Sequence, residues 1–540
     1  MSAAAGGGTV VPFEDQDLAS WLVHLAQRGG AHPFLVWAPF EGAGATWTYA
    51  SFLEDVRRTA GGLAARGVGT GDRVLLHLEN CPEALLVRFA CAWLGAVCVA
   101  TNTAATGAEL RFFAEASAAV AAVTQAGFAP LVDESCAALH WIGVIDDAAG
   151  PAAPSGRVVS FSALRGDPAP QRRLEGGSDA SIMYTTGSTA RPKGVTWTHA
   201  NMLWAARLNA QQQGMRAEDV HLVFLPLFHV VGLSWAVLST MWAGGTVVLQ
   251  PRFSRSRYWP AALRHAATVG SHVNFTTRVL STDPVPAHAF RLWITPQMHE
   301  AQQAHFGIPF VAGWGMTEVL AQVIVSEPGW PAASGAIGRA SLAYELRVEG
   351  DDGAAVRAPG SGHLLVRGVP GLSLFREYDG DAPATAAAFD AAGFFATGDR
   401  VRLDTDGSIF FEERLKDVIK VRGENVSALE VEQVIARLDG IREVAVVGKP
   451  DLAYGEKVLA FVVPDPPCGP AGNGDLVQRV RDECERRLSR FKRPHEVRVI
   501  EALPRIGVGK VAKSALRELA LQEDGDRSTA LPRSLVGGTD

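Results

Sequence analysis

The sequence predicts an α/β protein in two parts: a large, multi-subdomain amino-terminal domain of β-sheets and helices, and a small mobile α+β carboxyl-terminal domain. Three observations carry this expectation. From about residue 10 to residue 412, β-branched runs alternate with Ala- and Leu-rich amphipathic segments, as strands and helices do in α/β folds. Near residue 414 the texture changes and a compact unit of roughly a hundred residues begins. The 540 residues, 47% hydrophobic and 20% charged, are enough for more than one sizeable core. The expected boundaries are 1–413 for the large domain, 414–522 for the small one and 523–540 for a disordered tail, with a hinge at 414–417.

Taken in order, residues 1–20 have neither a basic start nor a continuous apolar core, and read as a flexible lead-in rather than a secretory signal. Residues 49–65 read as a helix, 67–72 as a turn and 73–78 as a strand. FACAWLGAVCVA at 89–100 is too short for the roughly 20 residues of a spanning helix and reads as a buried helix. A strand is expected at 181–184 and a helix from near His199. In the small domain, Ser427 and Glu430 form an S-x-x-E helix start. Val431, Val434, Ile435 and Leu438 lie on one face of that helix, with Gly440 past its end. Residues 444–447 read as a strand, and the Pro- and Gly-rich stretch 464–475 as a surface loop.

Net charge is −7 and the isoelectric point near 6.1, so neither nucleic acid nor an anionic membrane is an expected partner. The six cysteines, at 81, 91, 98, 136, 468 and 484, form no CxxC pair and have no His at metal-ligand spacing. They read as reduced thiols of a cytoplasmic protein. In HEAQQAH, His299 and His305 are six apart, not the four that would put both on one helix face for zinc.

The strongest chemical signal is YTTGSTARPKGV at 184–195. The hydroxyls of Thr185, Thr186, Ser188 and Thr189, with backbone N–H groups freed by Gly187, can wrap phosphate oxygens while Lys193 supplies a point charge. It is not a Walker A loop, which needs Ser or Thr after the lysine; Gly194 follows Lys193.

This loop resembles the signature of the adenylate-forming superfamily of acyl-CoA synthetases, luciferases and peptide-synthetase adenylation domains. Five further motifs stand in the family's order: LPLFHVVG at 225–232, GWGMTE at 313–318, GFFATGD at 393–399, RLKDVIKVRGENVSALEVE at 414–432 and LPRIGVGKVAKSAL at 503–516. The resemblance spans about residues 45–520. It looks nearest to carnitine/crotonobetaine-CoA ligase-like acyl-CoA synthetases, through HLENCPEALL at 77–86, VRGVPGLSLFREY at 366–378 and GENVSALEVE at 423–432.

The resemblance implies an enzyme that uses ATP, Mg²⁺ and coenzyme A to turn a carboxylic acid into an acyl-adenylate and then a thioester. It places Trp314, Gly315, Met316 and Thr317 at the nucleotide, with Trp314 on adenine and Thr317 at the α-phosphate. Glu318 is the implied Mg²⁺ ligand, since a hard cation prefers carboxylate oxygen. Asp399 and Arg414 are implied at the ribose. His229 stands at the mouth of the acyl pocket. Lys510 is the implied main catalytic group of adenylation, countering charge as pyrophosphate leaves. A hinge at Lys416 would then swing Lys510 away and bring Arg422, Gly423 and Glu424 to the pantetheine tunnel. The basic residues Arg486, Arg487, Arg490, Lys492 and Arg493 read as a solvated helical face, with CoA phosphates the alternative.

The expected acyl pocket is Phe228, His229, Val230, Gly232, Trp235, Ala312 and Gly313, near Phe224 and Val231. These side chains are mostly apolar or small, and they predict a bulky hydrophobic acid, fatty, aromatic or polycyclic. Carnitine, whose cation wants a carboxylate or aromatic cage, is not expected. Three departures from the family pattern stand out. Ala190 replaces a frequent Gly, Arg422 replaces a second Gly beside the tunnel, and WITPQ at 293–297 replaces a Gly-Ala-rich strand. Arg422 and WITPQ keep open an alternative, an adenylating enzyme that hands its acyl-AMP to a carrier protein or a separate thioesterifying partner.

Overall fold

The computed structural model describes residues 12–145, 156–185, 192–350, 352–414, 418–465, 470–506, 510–511 and 513–522. Two large sheets form the body, and both run to their functional ends in the same way. In the first, Arg73–His77 pairs in parallel with Val97–Ala100 and Ala119–Gln125, and the sheet continues through Asp179–Thr185 to the antiparallel strands Lys193–Thr198 and Glu377–Tyr378. In the second, Val220–Val223, Thr246–Leu249, Val269–Ser271, Leu292–Thr295 and Phe310–Trp314 are parallel. Val74, Leu75, Cys98, Val99, Leu222 and Val248 are buried, as unbroken apolar strands covered on both faces by helices must be.

Ligands of open α/β sheets lie beyond the carboxyl ends of the strands. One side chain ties these ends together across the two sheets. Asn80 Nδ2 donates to Leu225 O at 3.1 Å and Gln250 O at 3.2 Å, and its Oδ1 accepts from Leu227 N at 2.9 Å. A smaller antiparallel sheet of Glu345–Glu349, Gly360–Arg367, Phe395–Leu403 and Ile409–Arg414 completes the body.

After residue 417 the chain builds a separate five-stranded sheet from Val418–Val421, Glu424–Ser427, Ile441–Asp451, Gly455–Pro464 and Glu496–Val499. Alternate residues of its long hairpin serve two cores. Val446, Val458, Ala460 and Val462 pack with Ile419, Val426, Val431 and Val480. Ala445, Val447, Leu459, Phe461 and Val463 pack with Leu503, Leu516 and Ala520. Such period-two alternation gives an α+β layer one helix pair on one face and a carboxyl-terminal helix on the other.

The expected helix at 49–65 and strand at 73–78 appear as Tyr49–Ala64 and Arg73–His77. Thr48 opens the first with a capping box to Ser51. Residues 89–100 are not one buried helix. Helix Pro82–Leu94 ends at Gly95, whose φ of 75° gives the left-handed turn, and strand Val97–Ala100 follows. Helix and strand are equally buried here, so apolar content alone concealed the turn. The helix opened by Ser427 stops at Ile435, before Leu438. The stretch expected as a loop at 464–475 already contains the start of helix Pro470–Arg487, with proline tolerated at its first position. Among the described residues no helix is long and apolar enough to cross a membrane.

Candidate active site at the carboxyl ends of the sheets

The phosphate-loop motif joins two antiparallel strands, Asp179–Thr185 and Lys193–Thr198, with Thr185 opposite Lys193 in the ladder. Thr186, Gly187, Ser188, Thr189 and Ala190 lie outside the described residues. Side chains alternate along a strand, so Lys193, Val195 and Trp197 share one face. That face meets the turn after strand Phe310–Trp314: Trp197 Nε1 donates to Thr317 O at 2.9 Å. Tyr378, paired with Val195, lies on the same face, and Lys193 Nζ sits 4.2 Å from its ring centroid.

The turn brings several expected residues together. Trp314 Nε1 donates to Asp399 Oδ2 at 3.0 Å, and Asp399 is buried. Arg414 stands directly opposite Asp399 in the antiparallel ladder. Gly315, Met316 and Thr317 follow Trp314 in the turn. Glu318 is 6% exposed; its backbone O accepts from Phe375 N at 2.7 Å, and its Oε1 accepts from Tyr378 OH at 3.0 Å. Burial, and then the Glu318 charge, push the Tyr378 phenol far up, so it stays a donor. Among the described residues no group of three or more His, Cys, Asp and Glu could hold a metal. The buried carboxylate of Glu318 is nevertheless a hard donor of the kind that shares an ion with phosphate oxygens and water.

His229 follows the turn gripped by Asn80. Phe228, His229 and Val230 are half-buried, with the Phe228 and His229 rings 4.8 Å apart. Gly232 and Trp235 lie in the π-helix Val231–Leu238, a widened turn often found at functional sites. A Cβ on Gly232 would fall 2.3 Å from Pro226 O, so a side chain there would push this helix off the His229 turn. Trp235 Nε1 donates to Leu320 O at 3.0 Å. Ala312 and Gly313 are buried in strand Phe310–Trp314, and a Cβ on Gly313 would strike Gln322.

Beneath them, the unusual segment 293–297 is anchored by aromatic packing. Trp293 is fully buried 4.0 Å from the His272 ring, and Phe224 packs edge-on against Tyr258 and His272. Tyr258 OH lies 3.0 Å from His272 Nε2, and burial pushes His272 well below its usual range.

The small domain reaches this site with its first hairpin. Arg422 and Gly423, at φ 52° and 89°, are the two central residues of the turn between Val418–Val421 and Glu424–Ser427, the left-handed pair a two-residue hairpin requires. Arg422 N donates to Tyr454 O at 2.7 Å, and its guanidinium lies 4.1 Å from the Tyr454 ring centroid. It therefore rests on its own domain. Gly423 approaches Val273 of the large body. Glu424 Oε2 accepts from Asn102 Nδ2 at 2.9 Å and lies 3.3 Å from His229 Nε2.

A second contact is ionic. Lys492 is buried between Glu109, which caps a helix of the large body, and Glu430 at 3.0 Å. Burial pushes the Lys492 ammonium down, but the two carboxylates more than offset it and hold it above its usual range. Of the expected basic face, Lys492 is thus an interdomain ion pair, while Arg486 and Arg487 pair with Glu483 and Arg493 with Glu485.

Lys510 lies in strand Lys510–Val511, opposite Ile506 of Arg505–Ile506. This hairpin adjoins the core of Leu503, Leu516 and Ala520, not the Glu424 hairpin's side of the sheet. Lys416 lies outside the described residues.

Asn80, Asn102, Tyr378 and the Glu109–Lys492 pair were missed as site residues. Asn80 and Tyr378 do fall inside two of the motifs quoted for the resemblance. Nothing local marks Asn102 or Glu109, whose partners lie more than three hundred residues away.

The fold is that of adenylate-forming enzymes, as comparison with known proteins shows. Residues 22–379 match the model for AMP-binding enzymes, and 430–510 that for the AMP-binding enzyme C-terminal domain. The chain belongs to the AMP-binding enzyme family. It is 31% identical to crotonobetaine/carnitine–CoA ligase of Salmonella paratyphi A, over 93% of this chain and 99% of the relative. Among solved structures it resembles a Mycobacterium tuberculosis fatty acyl CoA synthetase (30% identity, TM-score 0.65, covering 93% and 98% of the two chains).

It also resembles Bacillus subtilis o-succinylbenzoate CoA synthetase, at 26% identity and covering 93% and 98% of the two chains. The TM-score is 0.78 for that enzyme, as a double mutant, with a product analogue, and 0.64 for it with the acyl-adenylate. The chain is an AMP-forming acid–thiol ligase, an acyl-CoA synthetase.

Proposed function

We propose that this ligase activates a bulky hydrophobic carboxylic acid and releases it as a CoA thioester by alternating two placements of its small domain. ATP lies along the Thr185–Lys193 end of the hairpin, with adenine against Trp314, ribose at Asp399 and Arg414, and the α-phosphate near Thr317. The buried carboxylate of Glu318 suits Mg²⁺, which supplies charge neutralisation at the triphosphate when bound. A carboxylate oxygen of the acid attacks the α-phosphorus, the bond to the bridging oxygen breaks, and pyrophosphate leaves with its electron pair. Lys193 and Lys510 counter the charge that develops.

In the second step the CoA sulfur attacks the acyl carbon and AMP leaves. Residues 414–522 act as the moving body, hinged at Lys416. The contact of Glu424 with His229 and Asn102 supports a thioester-forming placement in the described state. The higher similarity to the product-analogue complex points the same way. The Glu424 hairpin belongs to the five-stranded sheet and packs with one of its cores, whereas the separate two-stranded Lys510 hairpin adjoins the other core, so presenting the first to the body withdraws the second.

The side chains of Phe228, Val230, Val231 and Trp235, near His229 in the chain, are apolar. That favours an apolar acid over carnitine. Arg422, held on Tyr454, rests on its own domain and so does not argue against a pantetheine thiol beside Gly423; the CoA ligases among the relatives favour free CoA as its bearer. The free, buried state of Cys81, Cys91, Cys98, Cys136 and Cys484 suits the reducing cytoplasm.

The test is to incubate enzyme, ATP and Mg²⁺ with octanoate, benzoate, a polycyclic acid or carnitine, and with either CoA or a pantetheinylated carrier, and to read thioesters by mass spectrometry. An acyl-CoA from one of the hydrophobic acids is expected. Product on the carrier alone, or from carnitine alone, would overturn this reading.

A further inference from the structure

Two groups expected at the triphosphate, Lys193 and Glu318, lie 125 residues apart in the chain and meet through one side chain, Tyr378. The backbone around Glu318 is held first. Phe375 N donates to its carbonyl, and Trp197 Nε1 donates to the carbonyl before it. Those holds come from the segment leading into strand Glu377–Tyr378 and from strand Lys193–Thr198. What remains is the carboxylate's rotation, and the Tyr378 hydroxyl at 3.0 Å engages it through Oε1. The same ring lies 4.2 Å from Lys193 Nζ, a distance at which an ammonium is attracted to the aromatic face. Both relations are fixed by register, because Tyr378 pairs with Val195 two residues beyond Lys193.

We infer that Tyr378 is a positioning residue: its hydroxyl orients Glu318 for the metal ion and its ring sets the place of the Lys193 charge, so that both meet one triphosphate. This rests on the reading of Glu318 as the metal ligand. A hydrogen-bond partner behind a metal ligand commonly contributes about 10- to 100-fold in metal affinity. A phenol that serves only to fill the core would contribute nothing of that kind.

The test uses the full-length enzyme with Mn²⁺ as probe, its binding in the presence of ATP read by electron paramagnetic resonance. Binding of AMP without metal is read by calorimetry, and ATP KM from pyrophosphate exchange at saturating Mg²⁺. Tyr378→Phe keeps the ring and should weaken Mn²⁺ by about tenfold while AMP binding and ATP KM hold. Tyr378→Leu should also raise ATP KM, and Glu318→Gln should weaken Mn²⁺ at least as much as Tyr378→Phe. Wild-type Mn²⁺ affinity in Tyr378→Phe with a weakened Glu318→Gln would overturn the role of Tyr378 alone. Unchanged Mn²⁺ binding in Glu318→Gln would overturn the metal reading beneath it. Equal loss of Mn²⁺ and AMP binding in Tyr378→Phe would make Tyr378 a structural residue and overturn the inference.

Discussion

Glu424 of the small domain lies 3.3 Å from His229 of the large one, although 195 residues separate them. Asn102 holds the same carboxylate oxygen from the other sheet. The hairpin turn of Arg422 and Gly423 is thereby seated beside His229. Glu424→Gln should slow thioester formation from preformed acyl-adenylate and leave pyrophosphate exchange nearly unchanged, as separate assays of the two half-reactions will show.

The contact also has a pH signature. Burial pushes the Glu424 carboxyl up, but His229, the Asn102 hydrogen bond and Lys492 outweigh it and leave it below its ordinary range. A depressed carboxyl contributes docking energy that is complete above its undocked pKa and lost as pH falls through the lower, docked value. Thioester formation should therefore hold at neutral pH and fall only on the acid side of an ordinary glutamate. In Glu424→Gln that acid limb should be missing from the pH–rate profile.

Lys492 forms the second fastening. Removing one partner of a buried ion pair costs about 3–5 kcal/mol, and here the loss would leave Glu109 and Glu430 facing each other across the interface. Lys492→Met should lower the thioester rate by about tenfold for each 1.4 kcal/mol of docking energy lost. Pyrophosphate exchange should be spared, and adding Glu109→Gln should restore part of the rate. Single-turnover kinetics of both variants check this.

Much of this arrangement was legible in the sequence, because motif residues sit on short segments whose local signals are strong. Residues 313–318 form one motif at the end of a strand and in the turn that follows it, and Ser427 announces its helix. The turn at Gly95 was hidden by a run equally apolar on both sides. Tyr378, Asn80 and Lys492 act through partners brought close only by sheet order and domain docking. Arg422 kept the carrier-protein alternative open because sequence gives no direction for a side chain; in the structure its guanidinium lies on the Tyr454 ring of its own domain.

Asp399 accepts from Trp314 and is buried beside the expected ribose position. Hydrogen bonds to a charged acceptor contribute about 1.5–3 kcal/mol, so Asp399→Asn should raise ATP KM by about 10- to 100-fold while the acid's KM changes little. Steady-state kinetics with each substrate varied will show whether the loss is confined to ATP.

The two-placement mechanism is tested most directly by Lys510→Ala, measured in both half-reactions. Pyrophosphate exchange should fall by about 10²- to 10³-fold, the usual loss for a group that stabilises transition-state charge, while synthetic acyl-adenylate and CoA still react at nearly the wild-type rate. Equal loss in both half-reactions would mean that Lys510 stays in place throughout, and that the small domain does not alternate.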